Sequence, residues 1–352
     1  MSIYSLYQKF LFKNVVRKRY KYIQPDLNKK ISNIKLVSLS KSQISDFKRV
    51  WGGVKPNKWI EFYNSIPHEG DICMYCPDDF FYCYIDQTLS DPKVSVRFDD
   101  KNFYDFYFKD VAMPSTVVRK MDGNWLDSCY SRITLDDAFQ LCSRAGKVII
   151  KPAINMAGGK GIYFWSKEEN DKKDFEAACG ISDIIIQEIV TQHEQLAAIH
   201  PYSINSVRIM TLLLKGESHV LSAVLRMGVN GKKVDNVSSG GIAVGILPDG
   251  RLKDFAFDNS GTVYKTHPQG VVFGEHYIPN IEECKELVKK LSYRMSRVSK
   301  LISWDLCIGK DGHPMLIEAN CSWGELDFHQ MCNGPIFKDK KMINTILQLV
   351  QK

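Results

Sequence analysis

Helices packed on antiparallel hairpins, an α+β arrangement in two or three lobes, are what this sequence calls for, and three observations carry that expectation. A chain of 352 residues, 44% hydrophobic and 25% charged, can bury a full core and has ordinary globular composition. Two pairs of apolar, strand-like runs close on short polar turns: Val207 to Leu214 with His219 to Val229 around Lys215-Gly216-Glu217, and Trp304 to Ile308 with Met315 to Ala319 around Lys310-Asp311-Gly312. Helical periodicity is confined to separate segments between such runs.

The first segment, residues 1–30, is the charged one. It holds eight cations (Lys9, Lys13, Arg17, Lys18, Arg19, Lys21, Lys29 and Lys30) against one acid, Asp26, a local charge of +7, and the remainder balances at 39 against 39. Ile3, Leu6, Tyr7, Phe10, Leu11 and Val15 recur at helical spacing, which describes a basic amphipathic helix. Such a helix either packs on its own domain with a solvated basic face or lies on an anionic membrane surface through residues 1–22. The neutral body lacks the broad basic stripe of a nucleic-acid footprint, so no nucleic-acid partner is expected. No run approaches the roughly 18 apolar residues of a membrane span, and Lys9 and Lys13 interrupt any signal-peptide core. The expected location is cytoplasmic, with membrane contact at the inner face. Ten cysteines without a dense framework fit reduced thiols, and Cys73 and Cys76, the one CxxC, lack the second ligand pair of a zinc site.

Residues 31–115 mix short helical patterns (Ile44, Phe47, Trp51) with the aromatic run Phe80, Phe81, Tyr82, Tyr84 and read as an N-terminal mixed lobe. The main domain is expected over 116–352. Thr134 suits the N-cap of a helix from Leu135 to Arg144, closed by Gly146 and followed by a strand at Val148 to Ile150. A helix from Lys167 to Cys179 and a buried strand from Ile184 to Val190 follow. After the first hairpin comes a stretch expected to be flexible, then a helical pattern over 282–301 and a closing helix from Met342 to Val350.

Three constellations carry chemistry. The first is Lys151-Pro152-Ala153-Ile154-Asn155-Met156-Ala157-Gly158-Gly159-Lys160-Gly161, followed by the strand-like Ile162 to Trp165. Glycines let backbone N–H groups close around phosphate oxygens, and Lys151 and Lys160 add positive charge. A P-loop or a dinucleotide fingerprint would open a helix at this point, whereas two flanking strands describe a hairpin lid, or a plain glycine turn. The second is Asp305 with Glu318-Ala319-Asn320 on the second hairpin. Glu318 and Asn320, two apart, share a strand face that Asp305 can join from the neighbouring strand, and three hard oxygen donors suit Mg²⁺. The alternative is the solvent face of a half-exposed hairpin. The third pairs Arg208 with Arg226, guanidinium groups among apolar residues that either hold phosphoryl oxygens or form structural ion pairs. Between them and the second hairpin lies Asp235-Asn236-Val237-Ser238-Ser239-Gly240-Gly241, which either orders over a substrate or is a plain loop.

The order Lys-Pro, Gly-Gly-Lys-Gly, a strand ending Gln187-Glu188-Ile189-Val190, an arginine strand, then Asp and Glu-x-Asn resembles the ATP-grasp superfamily. Asp100-Lys101-Asn102, Pro201 to Arg208, Val234-Asp235-Asn236 with Gly240-Gly241, and Glu318-Ala319-Asn320 with Trp323 resemble more narrowly its sugar-transfer-associated family, over roughly residues 75–340. The resemblance implies two α+β lobes gripping ATP, a lid over about 147–190 and a catalytic lobe over about 200–340. Lys151, Gly158, Gly159, Lys160 and Gly161 would hold phosphates, and Gln187, Glu188, Ile189 and Val190 would pair with the adenine. Glu194 is the ribose candidate, one residue short of the usual spacing, with Gln195 or His193 in reserve. Arg208 and Arg226 would meet the γ-phosphate, and Asp305, Glu318 and Asn320 would hold one or two Mg²⁺ ions, or Mn²⁺. Asp235, Asn236, Gly240, Gly241 and Trp323 are substrate candidates.

The implied reaction joins a carboxylate to an amine through an acyl-phosphate, releasing ADP, in capsule or other surface-glycan synthesis. The scattered histidines offer no side-chain nucleophile, so His200, His267 and His329 are expected to be structural or surface residues rather than catalytic ones. A phosphotransferase and a non-catalytic nucleotide-binding module are the alternatives; product analysis separates the first from a ligase, and the complete metal set argues against the second. Deleting residues 1–22 is expected to weaken binding to anionic vesicles and to spare ATP turnover.

Overall fold

The computed structural model describes residues 3–32, 34–154, 160–181 and 183–351, with side chains from Phe10 onward. The chain opens with three helices, α1 (Ile3–Ile31), α2 (Lys41–Val50) and α3 (Lys58–Ser65), followed by short helical turns from 72 to 107. Ser40 and Gln43 form a capping box that fixes the start of α2, satisfying donors the first turn would otherwise leave unpaired.

A five-stranded antiparallel sheet follows, in the order β2-β1-β5-β3-β4. Its strands are β1 (Thr116–Met121), β2 (Asn124–Asp127), β3 (Lys147–Pro152), β4 (Tyr163–Ser166) and β5 (Ile184–Glu188). Two helices cover one face, α4 (Leu135–Ala145), boxed by Thr134 and Asp137 and closed by Gly146 as expected, and α5 (Lys172–Ala178). Val118, Val148, Ile150, Trp165, Phe175 and Ile186 form this lobe's core. The hairpin of β1 and β2 pairs with β5, so the lobe begins near 116, and the expected lid limits of 147–190 are too narrow. No alternation marks β1 strongly, since only Val118 and Arg119 of its six residues are buried.

The second sheet has seven antiparallel strands in the order β10-β9-β8-β7-β6-β11-β12. They are β6 (Ser206–Leu214), β7 (Glu217–Met227), β8 (Ile242–Ile246), β9 (Leu252–Phe257), β10 (Val263–Tyr264), β11 (Leu301–Ile308) and β12 (Pro314–Asn320). Both expected hairpins are present. The stretch expected to be flexible after the first one instead carries β8, β9 and β10, whose short strands are held by pairing to β7. All nine residues of β6 are buried, because the sheet is covered on both faces. Helix α6 (Ile281–Arg294) packs on one face and ends seven residues before the expected limit. Helices α7 (Leu326–Asn333) and α8 (Lys340–Val350) join α1, α2 and α3 on the other.

Helix α1 corrects the picture of a wholly solvated basic face. Arg19 and Lys30 are buried: Arg19 pairs with Asp86 and Lys30 with Asp327 at 2.8 Å, flanked by buried Ile23 and Leu27. Phe10 and Val15, placed by periodicity on the apolar stripe, are exposed.

Candidate functional site

A cleft of about 1180 Å³ is lined by residues of both sheets. On the seven-stranded sheet the pleat sorts side chains by parity. Val207, Ile209, Leu225, Trp304, Leu306 and Ala319 enter the core beneath α6, and Arg208, Arg226, Asp305, Glu318 and Asn320 face the other way; a register shift between β11 and β12 past Asp305 and Glu318 breaks the alternation, so that Leu316 also points into the core. Register brings this polar row together: Asp305 lies opposite both Arg208 and Glu318, and Arg226 lies opposite Ser206.

Asp305, 2% exposed, is gripped by both arginines. Its Oδ1 accepts from Arg208 Nε at 2.6 Å; its Oδ2 accepts from Arg208 Nη2 at 2.7 Å and Arg226 Nη2 at 3.0 Å, with Asn320 Nδ2 at 3.4 Å. Burial alone would push its carboxyl pKa up, but the two guanidinium groups outweigh burial and hold it at about 2. Arg208 also donates to Glu325. Arg226 Nη1 is buried with no hydrogen-bond partner among the described residues; Glu325 Oε2 lies 3.7 Å from it, an ion pair beyond hydrogen-bond distance. Its Nε and Nη2 donate to Ser206 Oγ at 3.0 and 2.8 Å, and that hydroxyl donates to Asp235, tying Asp235 to the arginine pair. The arrangement combines the two readings of the arginines, since they are ion-paired and they also line the cleft.

Glu318 Oε1 lies 2.7 Å from Lys101 Nζ. Lys151 lines the same wall with no ion pair among the described residues; burial first, then repulsion from Lys101, pulls its ammonium down to about 8. Asp99 beside them is pushed up to about 6, by burial and then by Glu318. Lys160 and Ile162 line the lid side, with Gly161 between them at φ 77°, and Gly158 and Gly159 lie outside the described residues. Gln187, Glu188, Ile189 and Val190 all line the cleft, near Ile149, Ile162 and Ile317. The Glu188 N–H donates to Ser115 O at 2.9 Å, whereas Ile189 and Val190, beyond the end of β5, make no main-chain hydrogen bond among the described residues. Apolar walls beside an unpaired stretch of backbone are what a planar base with donor and acceptor edges requires.

Glu194, the ribose candidate, lies outside this lining. It is exposed and, like His193 and Gln195, does not line the cleft, because the chain turns there into a helical turn (Glu194–Ala197) whose His193 ring caps its start. Gly240 and Gly241 also stay out of the lining and instead shape the loop that presents Asp235 and Asn236. A Cβ on Gly241 would meet the carbonyl oxygens of Asp235 and Met227 at 2.6 Å. Trp323 does line the cleft; it and Glu325 have left-handed backbone, with φ of 61° and 58°. Of the three histidines, His200 and His267 bond to main-chain carbonyls and His329 to Ser222.

Site residues absent from the sequence candidates are Lys101, Glu325 and Ser206, together with Tyr22, Asp26 and Lys29 of α1, which line the far end of the cleft with Tyr82, Trp323 and Asp327. Lys101 stood in a motif of the resemblance, yet nothing in its spacing revealed that it reaches Glu318. The donor set fits Mg²⁺: Glu318 Oε2 and Asn320 Oδ1 make no hydrogen bond among the described residues and face the cleft beside Asp305.

The sequence matches the family described as sugar-transfer associated ATP-grasp over residues 84–345. Among curated proteins no match is found. Solved structures with a similar fold include the ATP-grasp ligase PsnB in complex with a minimal precursor (13% identity, 74% of this chain and 63% of that one, TM-score 0.42). They also include D-alanyl-alanine synthetase A from Vibrio cholerae (13%, 75% and 68%, 0.43) and the D-cycloserine synthetase DcsG (14%, 72% and 71%, 0.41). The chain thus spans less than two thirds of the PsnB chain.

Proposed function

The chain belongs to the sugar-transfer-associated ATP-grasp family, and from that we propose that it is a MgATP-dependent ligase that activates a carboxylate as its acyl-phosphate for attack by an amine. Its role would lie in capsule or related surface-glycan synthesis, acting on a small or glycan-linked carboxylate and an amine acceptor, with residues 1–22 as a peripheral membrane contact. The observation that carries the reading is the single polar face on which Arg208, Arg226, Asp305, Glu318 and Asn320 meet, in one cleft with Lys151, Lys160 and the unpaired backbone of Ile189 and Val190.

In this reading the base lies against Ile189 and Val190, and Lys101, Lys151 and Lys160 hold the phosphates. The bound magnesium, on Glu318, Asn320 and Asp305, would supply charge neutralisation to the phosphate oxygens. Arg226, whose Nη1 makes no hydrogen bond among the described residues, and Arg208 then stabilise charge on the γ-phosphoryl group as a carboxylate oxygen bonds to it and ADP leaves. The amine nitrogen next bonds to the acyl carbon, the C–O bond to phosphate breaks, and the amine's surplus proton is released. Asp235, held by Ser206 beside Arg226, is positioned to orient the amine.

The test is Mg²⁺-dependent ATP hydrolysis by the wild type and by Glu318→Ala, with ADP and AMP resolved and sugar acids and amino acids added. ADP and phosphate release, stimulated by one acid and amine pair and reduced about a hundredfold or more in Glu318→Ala, is the expected result. AMP formation, or a stably phosphorylated acceptor, would overturn the ligase reading.

A further inference from the structure

Helix α1 has two unlike faces. Inward, Arg19, Ile23, Leu27 and Lys30 are buried, and Tyr22, Asp26 and Lys29 wall the far end of the cleft. Outward, Lys13, Arg17 and Lys21 follow one another at four-residue intervals, with Phe10 one turn before them and Lys18 beside them. All five are exposed, none of the four cations makes an ion pair among the described residues, and no acid occurs between residues 10 and 25. Three aromatic rings share this exposed surface: Phe10, Tyr20 and Tyr22 are 60%, 46% and 67% exposed.

A helix face meant only for water would mix acids with its cations and keep its aromatic rings inside. Unpaired cations interleaved with exposed rings match an anionic lipid surface, where the rings settle at headgroup level and each cation adds attraction. Nucleic acid fits less well, because the basic charge stops at α1 and the rest of the chain is neutral. Tyr22 belongs to both faces: it is exposed, lines the cleft, and meets the Trp323 ring edge-on at 5.1 Å.

We propose that the outward face of α1 docks on an anionic lipid bilayer, and that the far end of the cleft, walled by the same helix, opens at that surface. Resting on the ligase reading, the consequence is that the acceptor reaches the cleft from the lipid–water interface. Removing residues 1–22 is a poor test, contrary to the sequence expectation, because it also deletes Tyr22 from the cleft and the buried Arg19, which bonds to Asp86 and Ser322.

The experiment uses the full chain with vesicles of phosphatidylcholine, with and without phosphatidylglycerol. The wild type is expected to co-sediment with the anionic vesicles alone, more weakly as salt is raised. The triple variant Lys13→Gln, Arg17→Gln, Lys21→Gln is expected to lose about a hundredfold in partitioning. Phe10→Ser with Tyr20→Ser is expected to weaken binding at unchanged charge, and both variants to keep vesicle-free ATP turnover. Trp323 fluorescence reports the opening: brominated lipids are expected to quench the wild type, and the quenched fraction to fall in Trp323→Phe. Equal binding to neutral vesicles, or unchanged binding of the triple variant, would overturn the docking. An RNA oligonucleotide that strips the protein from vesicles would assign the face to nucleic acid and overturn it too. Docking without Trp323 quenching would overturn the placement of the opening. Failure of the ligase reading would register separately, as no ADP release without vesicles.

Discussion

Asp305 is the buried anion that two guanidinium groups share, and its removal leaves them only the more exposed Glu325 and Asp235 as counter-charges. Asp305→Ala is expected to cost about 3–5 kcal/mol in urea denaturation, whatever it does to turnover. If, as proposed, Lys151 holds a phosphate, its protonation would set nucleotide affinity. Its free-state pKa, about 8, lies below the ordinary lysine value, so its charge costs stability below about pH 8, and that cost fades as pH rises toward the ordinary value. A bound triphosphate would restore the charge. ATP affinity measured by calorimetry is therefore expected to be flat below about pH 8 and to fall by up to about tenfold per pH unit above it. Lys151→Gln is expected to bind more weakly and to lose that pH limb. At this scale the sequence was informative about residue types: Lys151, Arg208, Arg226, Asp305, Glu318 and Asn320 all line the cleft. Glu194 stands apart, exposed and outside the lining, because spacing along a chain cannot say which way a helical turn faces.

Among the elements, the loop from 228 to 241 matters more than its polar composition suggested. It hangs between β7 and β8, packed on His200 and His267, and delivers Asp235 to Ser206. Gly241 lets it fold so tightly that any side chain would meet two main-chain oxygens. Gly241→Ala is expected to lower kcat/KM for the acceptor reaction about a hundredfold while leaving ATP affinity unchanged, as steady-state kinetics and nucleotide titration would show. Strong caps and long apolar runs made α4, β6, β7, β11 and β12 legible in advance. The strands β1, β8, β9 and β10 were not, because short segments are held by partners on neighbouring strands rather than by their own pattern.

Across the whole molecule, α1 is anchored from one end of the sequence to the other. Lys30, fully buried, pairs with Asp327 of α7 and donates to the Asn259 carbonyl at 2.8 Å. Lys30→Ala strands Asp327 and is expected to cost about 3–5 kcal/mol in urea denaturation and to speed proteolysis near residues 31–40. The amino-acid sequence fixed what local chemistry can fix: the capped helices, the tight hairpins, the glycine-rich lysine loop, the Asp and Glu-x-Asn pattern, and the charge gathered in the first 30 residues. Such features depend on neighbours a few residues away, and their physics is visible in order and spacing. The fold alone settled that Lys101 meets Glu318, that both arginines close on Asp305, and that α1 spends two of its cations inside and walls the cleft. Those facts join residues far apart in the chain, where register across strands and the packing of a helix on a sheet determine which charges become neighbours.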